Sequence, residues 1–171
     1  MSQLKLRDEQ AADIAAIARV TIAAFADEPH SDQTEQFVIA QLRARGELTL
    51  SIVATIDEQV VGQITASPVQ ISGGQTEWYG LGPLSVEPAL QGIGVGSALM
   101  HEALVRLRAI GAQGCVLLGD AAYYSRFGFQ VRPELTYPGG PPEHFQAIRL
   151  LGDFAHGVVT YSPAFQAQSQ A

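Results

Sequence analysis

The stretch Gln91-Gly92-Ile93-Gly94-Val95-Gly96-Ser97 has the residue types and spacing that could do chemistry. Three glycines at alternate positions let successive backbone N–H groups turn toward one point. An alternating apolar run precedes them and an amphipathic run follows, so that point falls at the positive end of a helix dipole. Such a cradle holds a pyrophosphate without basic side chains; a tight strand-to-helix turn is the plainer reading of the same residues. Two other phosphate sites can be tested here. A P-loop ends in Gly-Lys-Ser/Thr, whereas Ser97-Ala98 follow the glycines and no lysine comes after Lys5. A dinucleotide fold needs Gly-x-Gly-x-x-Gly near the start of repeated βαβ units, and this series is Gly-x-Gly-x-Gly after a meander. Asp120 could mimic the ribose-binding acid of that fold, so a dinucleotide-binding enzyme stays as a lesser alternative.

Other reactive side chains are scattered. His30, His101, His144 and His156 show no metal-ligand spacing between any two, and no metal is predicted. Cys115 starts an apolar run with no evident base beside it, which reads as a packed thiol. Asp27, Glu28, Asp32 and Glu35 have no basic partner nearby in sequence; they read as a solvated loop, with a cationic acceptor as the sharper alternative.

The elements that must position these residues follow from periodicity. Leu4 and Leu6 alternate with Lys5 and Arg7 as in a short strand, and Asp8 and Asp13 offer helix-starting caps. Ile14, Ile17, Ala18, Thr21 and Phe25 share one helical face, expected to be core. A second helix ends at Gly46. Leu48 to Ile56, Val60 to Val69 and Glu77 to Val86 read as three strands of an antiparallel meander, turned at Asp57-Glu58-Gln59 and Ser72-Gly73-Gly74. Gly82-Pro83 inside the third predicts a bulge or a break in pairing, because proline removes a ladder donor. Leu99, Met100, Ala103, Leu104 and Leu107 mark the helix after the glycines, closed by Gly111. Cys115 to Leu118 suits a buried parallel strand. One or two helical turns are expected from Ala121 to Phe127 and a further strand from Phe129 to Val131. Tyr137 to Pro142 reads as a loop, with closing strands at Ala147-Ile148 and Val158-Val159.

Composition sets the outer bounds. A chain of 171 residues, 47% hydrophobic, can bury a core without metal or disulfide help. Ten basic against 17 acidic residues give a net charge of −7, which argues against nucleic acid as a partner. Ten of the acidic residues lie in residues 1–58. One cysteine excludes an internal disulfide framework and points to a reducing compartment. No apolar run reaches the roughly 18 residues of a membrane span, and the N-terminus lacks a signal-peptide core. The expectation is a soluble, cytoplasmic protein that uses no membrane.

The motifs resemble the GNAT superfamily of N-acetyltransferases. The family's cofactor motif, Gln/Arg-x-x-Gly-x-Gly/Ala after a bulged strand, is matched by Gln91, Gly94 and Gly96, preceded by Pro83-Leu-Ser-Val-Glu-Pro. A second family element, Tyr-x-x-x-Gly-Phe, is matched by Tyr124, Gly128 and Phe129. The wording from Leu118 to Phe129 and from Gly157 to Phe165 is similar to the YhbS-like bacterial subgroup, so the resemblance covers nearly the whole chain.

That resemblance implies an α/β (α+β) fold: a mixed, mostly antiparallel sheet with a bulged, splayed central strand and flanking helices. It implies one N-acetyltransferase domain over residues 1–165 and a frayed tail over 166–171. The implied cofactor is acetyl-CoA, taken in a cleft between splayed strands. Backbone groups of Leu84, Ser85 and Val86 would pair with the pantetheine arm, with the Val86 N–H polarising the thioester carbonyl. Gln91, Gly92, Ile93, Gly94, Val95, Gly96 and Ser97 would hold the pyrophosphate. Tyr124 stands at the position of the general acid that protonates the departing thiolate, while neighbouring Tyr123 reads as a packing residue. Arg126 is left between a CoA phosphate and a nearby acid. The family's strand glutamate, a general base, falls at Gly80 here, and Glu77 and Glu87 are weak substitutes. The implied acceptor is a small-molecule or peptide amine, docked against the loop after the first helix and the Tyr137 to Pro142 loop. A homodimer is compatible with the family. The missing glutamate keeps a second reading open: a non-catalytic acyl-CoA-binding module.

Overall fold

Alternation of apolar and polar residues builds the N-terminal sheet. In the computed structural model, which describes residues 3–168, β1 (Leu4–Asp8), β2 (Leu50–Ile56) and β3 (Gln59–Pro68) pair antiparallel. Leu6 stands opposite Ala54 and Val53 opposite Gln63, with a bulge between Ala54 and Thr55. The β2–β3 hairpin turns at Asp57 and Glu58, both left-handed at φ 50° and 64°, as a two-residue turn requires. Strands β2 and β3 are buried on both faces, so their Ser51, Thr55, Gln63 and Thr65 sit in the interior rather than facing water.

Helices α1 (Ile14–Phe25) and α2 (Glu35–Ala44) cover one face. Ile17, Val20, Ile39, Val53 and Val60 pack together, while Ile14 is 41% exposed. The expected core stripe through Ile14 is therefore rotated: Val20 takes the inward place. Helix α1 is apolar nearly all round, and spacing alone does not fix which stripe faces the sheet. Asp8 lies in β1; Asp13 precedes α1, where it accepts two bonds from Arg7 (2.7 and 3.0 Å) and one from the Gln10 N–H. Glu9 is held by Arg43 at 2.8 and 2.9 Å and by the Ser51 hydroxyl, which in turn accepts from Gln63 Nε2 at 2.8 Å. The helical turn Pro163–Gln166 packs against α2 through Ala164 and Phe165; residues 169–171 of the expected tail lie outside the described residues.

These elements form one compact unit, residues 3–66, 82–103 and 163–168; residues 67–81 and 104–162 form a second. Strand β5 (Trp78–Val86) and helix α3 (Val95–Ala109) contribute to both. The hydrogen-bonded order is β1-β2-β3-β5 in the first unit and β5-β6-β8 in the second, with β6 at Gly114–Leu118 and β8 at Phe145–Arg149. The β5–β6 pair is parallel and the β6–β8 pair antiparallel. The second unit also holds a small sheet in which β9 (Gly157–Thr160) lies between β4 (Gln70–Ile71) and β7 (Leu135–Thr136). Its core is Val69, Trp78, Val116, Phe145, Ala147 and Val159. Helix α4 (Ala121–Tyr124) is capped by the Asp120 side chain, which accepts from the Ala122 N–H at 3.0 Å. The strand expected at Phe129 to Val131 reduces to a single bridge, Gln130 with Ala147; Pro133 follows at once and offers no ladder donor.

Candidate active site

Strand β5 leaves its partner where the sequence breaks it. The parallel ladder with β6 runs from Trp78–Gly114 to Gly80–Val116 and stops there, while β5 continues to Val86. Gly82 is left-handed at φ 118° and its peptide to Pro83 is cis. On the β3 side, Thr65 Oγ1 donates to the Pro83 carbonyl (3.1 Å) and the Glu87 N–H to the Val61 carbonyl (2.8 Å). By the two-residue period of a strand, Leu84 and Val86 turn their N–H and C=O groups to the opposite edge. Ser85 is 1% exposed, its hydroxyl 3.4 Å from that of Thr21 on α1. Gln91 Nε2 donates to the Val86 carbonyl at 3.0 Å.

After a helical turn at Pro88–Leu90 the chain enters the glycine loop. Gly92 (φ 80°) and Gly94 (φ 99°) are left-handed, and a Cβ at either would meet nothing within 4 Å. Backbone conformation therefore calls for glycine at both. Residues 91–94 are exposed, Ile93 at 67%, whereas Val95 is buried and anchors the first turn of α3. Gly96 and Ser97 belong to that turn. Its first N–H groups have no intrahelical acceptor, so the loop presents donors at the positive end of a 15-residue helix. The anchor is tight: a Cβ on Gly62 of β3 would lie 3.0 Å from the Ser85 carbonyl, 3.1 Å from Leu99 and 3.3 Å from Val95.

Tyr124 closes α4 in the second unit. Its ring packs so near Gly119, the residue after β6, that a Cβ there would fall 2.3 Å from Tyr124 Cε2. Tyr123 meets it edge-on at 4.9 Å, and Phe129 lies 6.3 Å away. Burial pushes the Tyr124 phenol up to about 12, with Tyr123 and Asp120 adding to it. Tyr123 packs as expected, also against Phe127 and under Arg126, whose guanidinium lies 5.1 Å from its ring centre.

Residues 47–131 match the family model for a GNAT acetyltransferase domain. The chain is 40% identical over 129 residues to the uncharacterized N-acetyltransferase YhbS of Escherichia coli K12, spanning 72% of this chain and 77% of that one. The chain belongs to the GNAT acetyltransferase family. Two solved GNAT structures share its fold. One, from Brucella melitensis in complex with acetyl-CoA, is 45% identical with a TM-score of 0.85, covering 95% of this chain and 98% of that one. The other, YhbS from Escherichia coli in complex with CoA, is 32% identical with a TM-score of 0.89, covering 99% and 95%. Membership sets aside the dinucleotide alternative.

Within this GNAT frame the possible bases are placed plainly. Glu77 lies just outside β5 at φ 62° and accepts from the Tyr79 hydroxyl at 3.0 Å. Glu87 starts the Pro88–Leu90 turn. Gly80 has ordinary φ, and its missing side chain is explained by Tyr161: a Cβ there would meet Tyr161 Cε2 at 2.6 Å. Sequence reading named Gly80 without naming Tyr161; the available signal was a glycine inside a buried strand, which marks a close approach. Cys115 is a fully buried free thiol, and burial drives it well above its ordinary range. In the acidic loop, Asp32 accepts from the Thr34 N–H and hydroxyl, and Glu35 from the Ser31 hydroxyl. Those two carboxylates lead into α2. Among the described residues no group of three His, Cys, Asp or Glu could hold a metal, and no helix is long and apolar enough to cross a membrane.

Proposed function

We propose that this GNAT protein transfers an acetyl group from acetyl-CoA to a primary amine by direct attack. The relation of Gln91 to Val86 carries the reading, because one side chain ties the open edge of β5 to the loop that offers donors to a pyrophosphate. The open edge accommodates an extended arm as an added strand. Exposed backbone at Gly92 and Gly94, which no Cβ fills, accommodates phosphates. Solved relatives at 45% and 32% identity hold acetyl-CoA and CoA.

Acetyl-CoA supplies a thioester open to attack by an amine. The Val86 N–H is assigned the carbonyl oxygen, where it stabilises developing negative charge. Tyr124 keeps its proton at neutral pH and is assigned its delivery to the leaving sulfur. The acceptor nitrogen forms the amide bond as the C–S bond breaks, and loses its own proton to solvent. Asp27 and Glu28 keep a cationic group elsewhere on the acceptor in play. Isothermal titration with acetyl-CoA tests the reading: micromolar binding is expected, and no heat at high micromolar concentration overturns it. Gly80 favours one second reading, an acyl-CoA-binding module without turnover. Free thiol released from acetyl-CoA across a panel of amines separates the two.

A further inference from the structure

A buried glutamine holds the turn that carries Tyr124. Gln146 of β8 stands opposite Leu117 of β6 and is 1% exposed. Its Nε2 donates to the Gly119 carbonyl at 2.9 Å and, over a longer 3.4 Å, to the His144 carbonyl. The Gly119 N–H donates to the same His144 carbonyl at 2.9 Å, so the backbone of Gly119 is held at both its donor and its acceptor. Gly119 is also the residue on which the Tyr124 ring rests: a Cβ there would meet Tyr124 Cε2 at 2.3 Å, Cδ2 at 2.8 Å and Cζ at 3.3 Å. The Gly119 carbonyl and the Asp120 N–H belong to one planar peptide. From that peptide the chain enters α4, where the Asp120 carbonyl accepts the N–H groups of Tyr123 and Tyr124 at 3.1 and 3.0 Å.

Packing alone does not account for an amide at this place. A residue that only filled space in a buried strand would be apolar, because a buried polar group needs bonds. Gln146 Oε1 meets no donor among the described residues, so the amide closes no wider polar network. Both bonds from Nε2 run to carbonyls at the turn around Gly119, which also fixes the end of the amide that faces them. We propose that Gln146 is a positioning residue: by holding the Gly119 peptide it fixes the seat of the Tyr124 ring, and with it the point at which the phenol gives its proton to the departing sulfur. The inference rests on the acetyltransferase reading above and on the role assigned there to Tyr124. Misplacing a reacting group by about 1 Å costs up to about a hundredfold in rate, so the loss of this hold is read in kcat.

The test is a double-variant cycle read as free thiol released from saturating acetyl-CoA. The acceptor is the fastest of a dipeptide amide, Nα-acetyl-lysine amide, spermidine and hydroxylamine, and the same one is used throughout. Gln146→Met keeps the volume and removes the donor. It is expected to lower kcat about tenfold while the acetyl-CoA Kd and the acceptor KM stay within about twofold. In a Tyr124→Phe background the same substitution should change kcat by less than about twofold, because no phenol remains to be misplaced. A residue that only supports the fold would lower kcat by one factor in both backgrounds; that result overturns the inference, as does an unchanged kcat in Gln146→Met. Tyr124→Phe with parental kcat also overturns it, by removing the proton donor while acetyl transfer stands. Acetyl-CoA binding with thiol released to none of the amines overturns the transferase reading and this inference together. If Gln146→Met fails to fold, Gln146→Asn, whose amide is one methylene short of Gly119, is carried through the same cycle with the same expectations.

Discussion

Gln91 reaches back to the strand it follows: its Nε2 lies 3.0 Å from the carbonyl of Val86. The glycine loop and the last residue of β5 are thereby held in one orientation. Removing the amide with Gln91→Ala deletes a neutral hydrogen bond, a loss of about 1 kcal/mol of stability. Acetyl-CoA affinity by titration should weaken about five- to tenfold, because the two segments proposed to hold the cofactor lose their common reference. Unchanged affinity would detach this bond from the cofactor role.

The Tyr124 phenol, raised to about 12 by burial, stays protonated through the working pH range. A proton donor with a raised pKa loses its proton only as pH climbs to that value, so kcat should show no falling limb from this group below about pH 11. Tyr124→Phe should lower kcat about a hundredfold or more while acetyl-CoA affinity stays within about twofold. Initial rates and titration on the two proteins check both statements.

Acid should loosen the first unit through two carboxylates. Arg7 and the Gln10 N–H hold Asp13 below the usual carboxylate range, against the opposing pull of burial. Burial raises Glu9, but Arg43 and Ser51 outweigh it and the net direction is down. A carboxylate whose folded pKa is depressed stabilises above its unfolded value and loses that contribution as pH falls toward the folded one. Melting temperature should therefore drop as pH is lowered from about 5 to about 2. Arg7→Gln should shrink the drop, since it removes the first-named cause of the Asp13 shift.

Gly62 lies beneath α3 with no room for a methyl group: the Ser85 carbonyl would be 3.0 Å from its Cβ. Gly62→Ala should cost about 1–3 kcal/mol, read as a lower melting temperature. Because Val95 must yield, acetyl-CoA affinity should fall with it. A stable variant with parental affinity would show that α3 can ride higher on β3 without disturbing the loop.

Local signals made the strand break, the glycine loop and the helix after it readable. Gly92 and Gly94 are left-handed, Gly82-Pro83 interrupts a ladder, and Leu99 to Leu107 keep helical spacing, so each announces itself within a few residues. Helix α1 was harder, because an element apolar on most sides does not declare its inward stripe, and Val20 rather than Ile14 took it. Strands β4 and β7 are two residues each and carry no period; pairing with β9 defines them. Gly80 and Tyr161 are remote in sequence, so nothing local linked the bare position to the ring above it. Leu84 and Val86 were placed through the family motif, and the bonds from Thr65 and to Val61 supply the physical reason for their orientation.

Strand β9 is flanked by β4 on one side and β7 on the other, yet it leaves the ribosome after every other strand described. The β2–β3 hairpin can close as it emerges, its partners being neighbours in the chain. The small sheet of the second unit cannot: β4 and β7 must wait for β9, which is translated after both. Tyr161 arrives with that segment. A nascent chain thus completes its glycine loop well before the ring that covers Gly80.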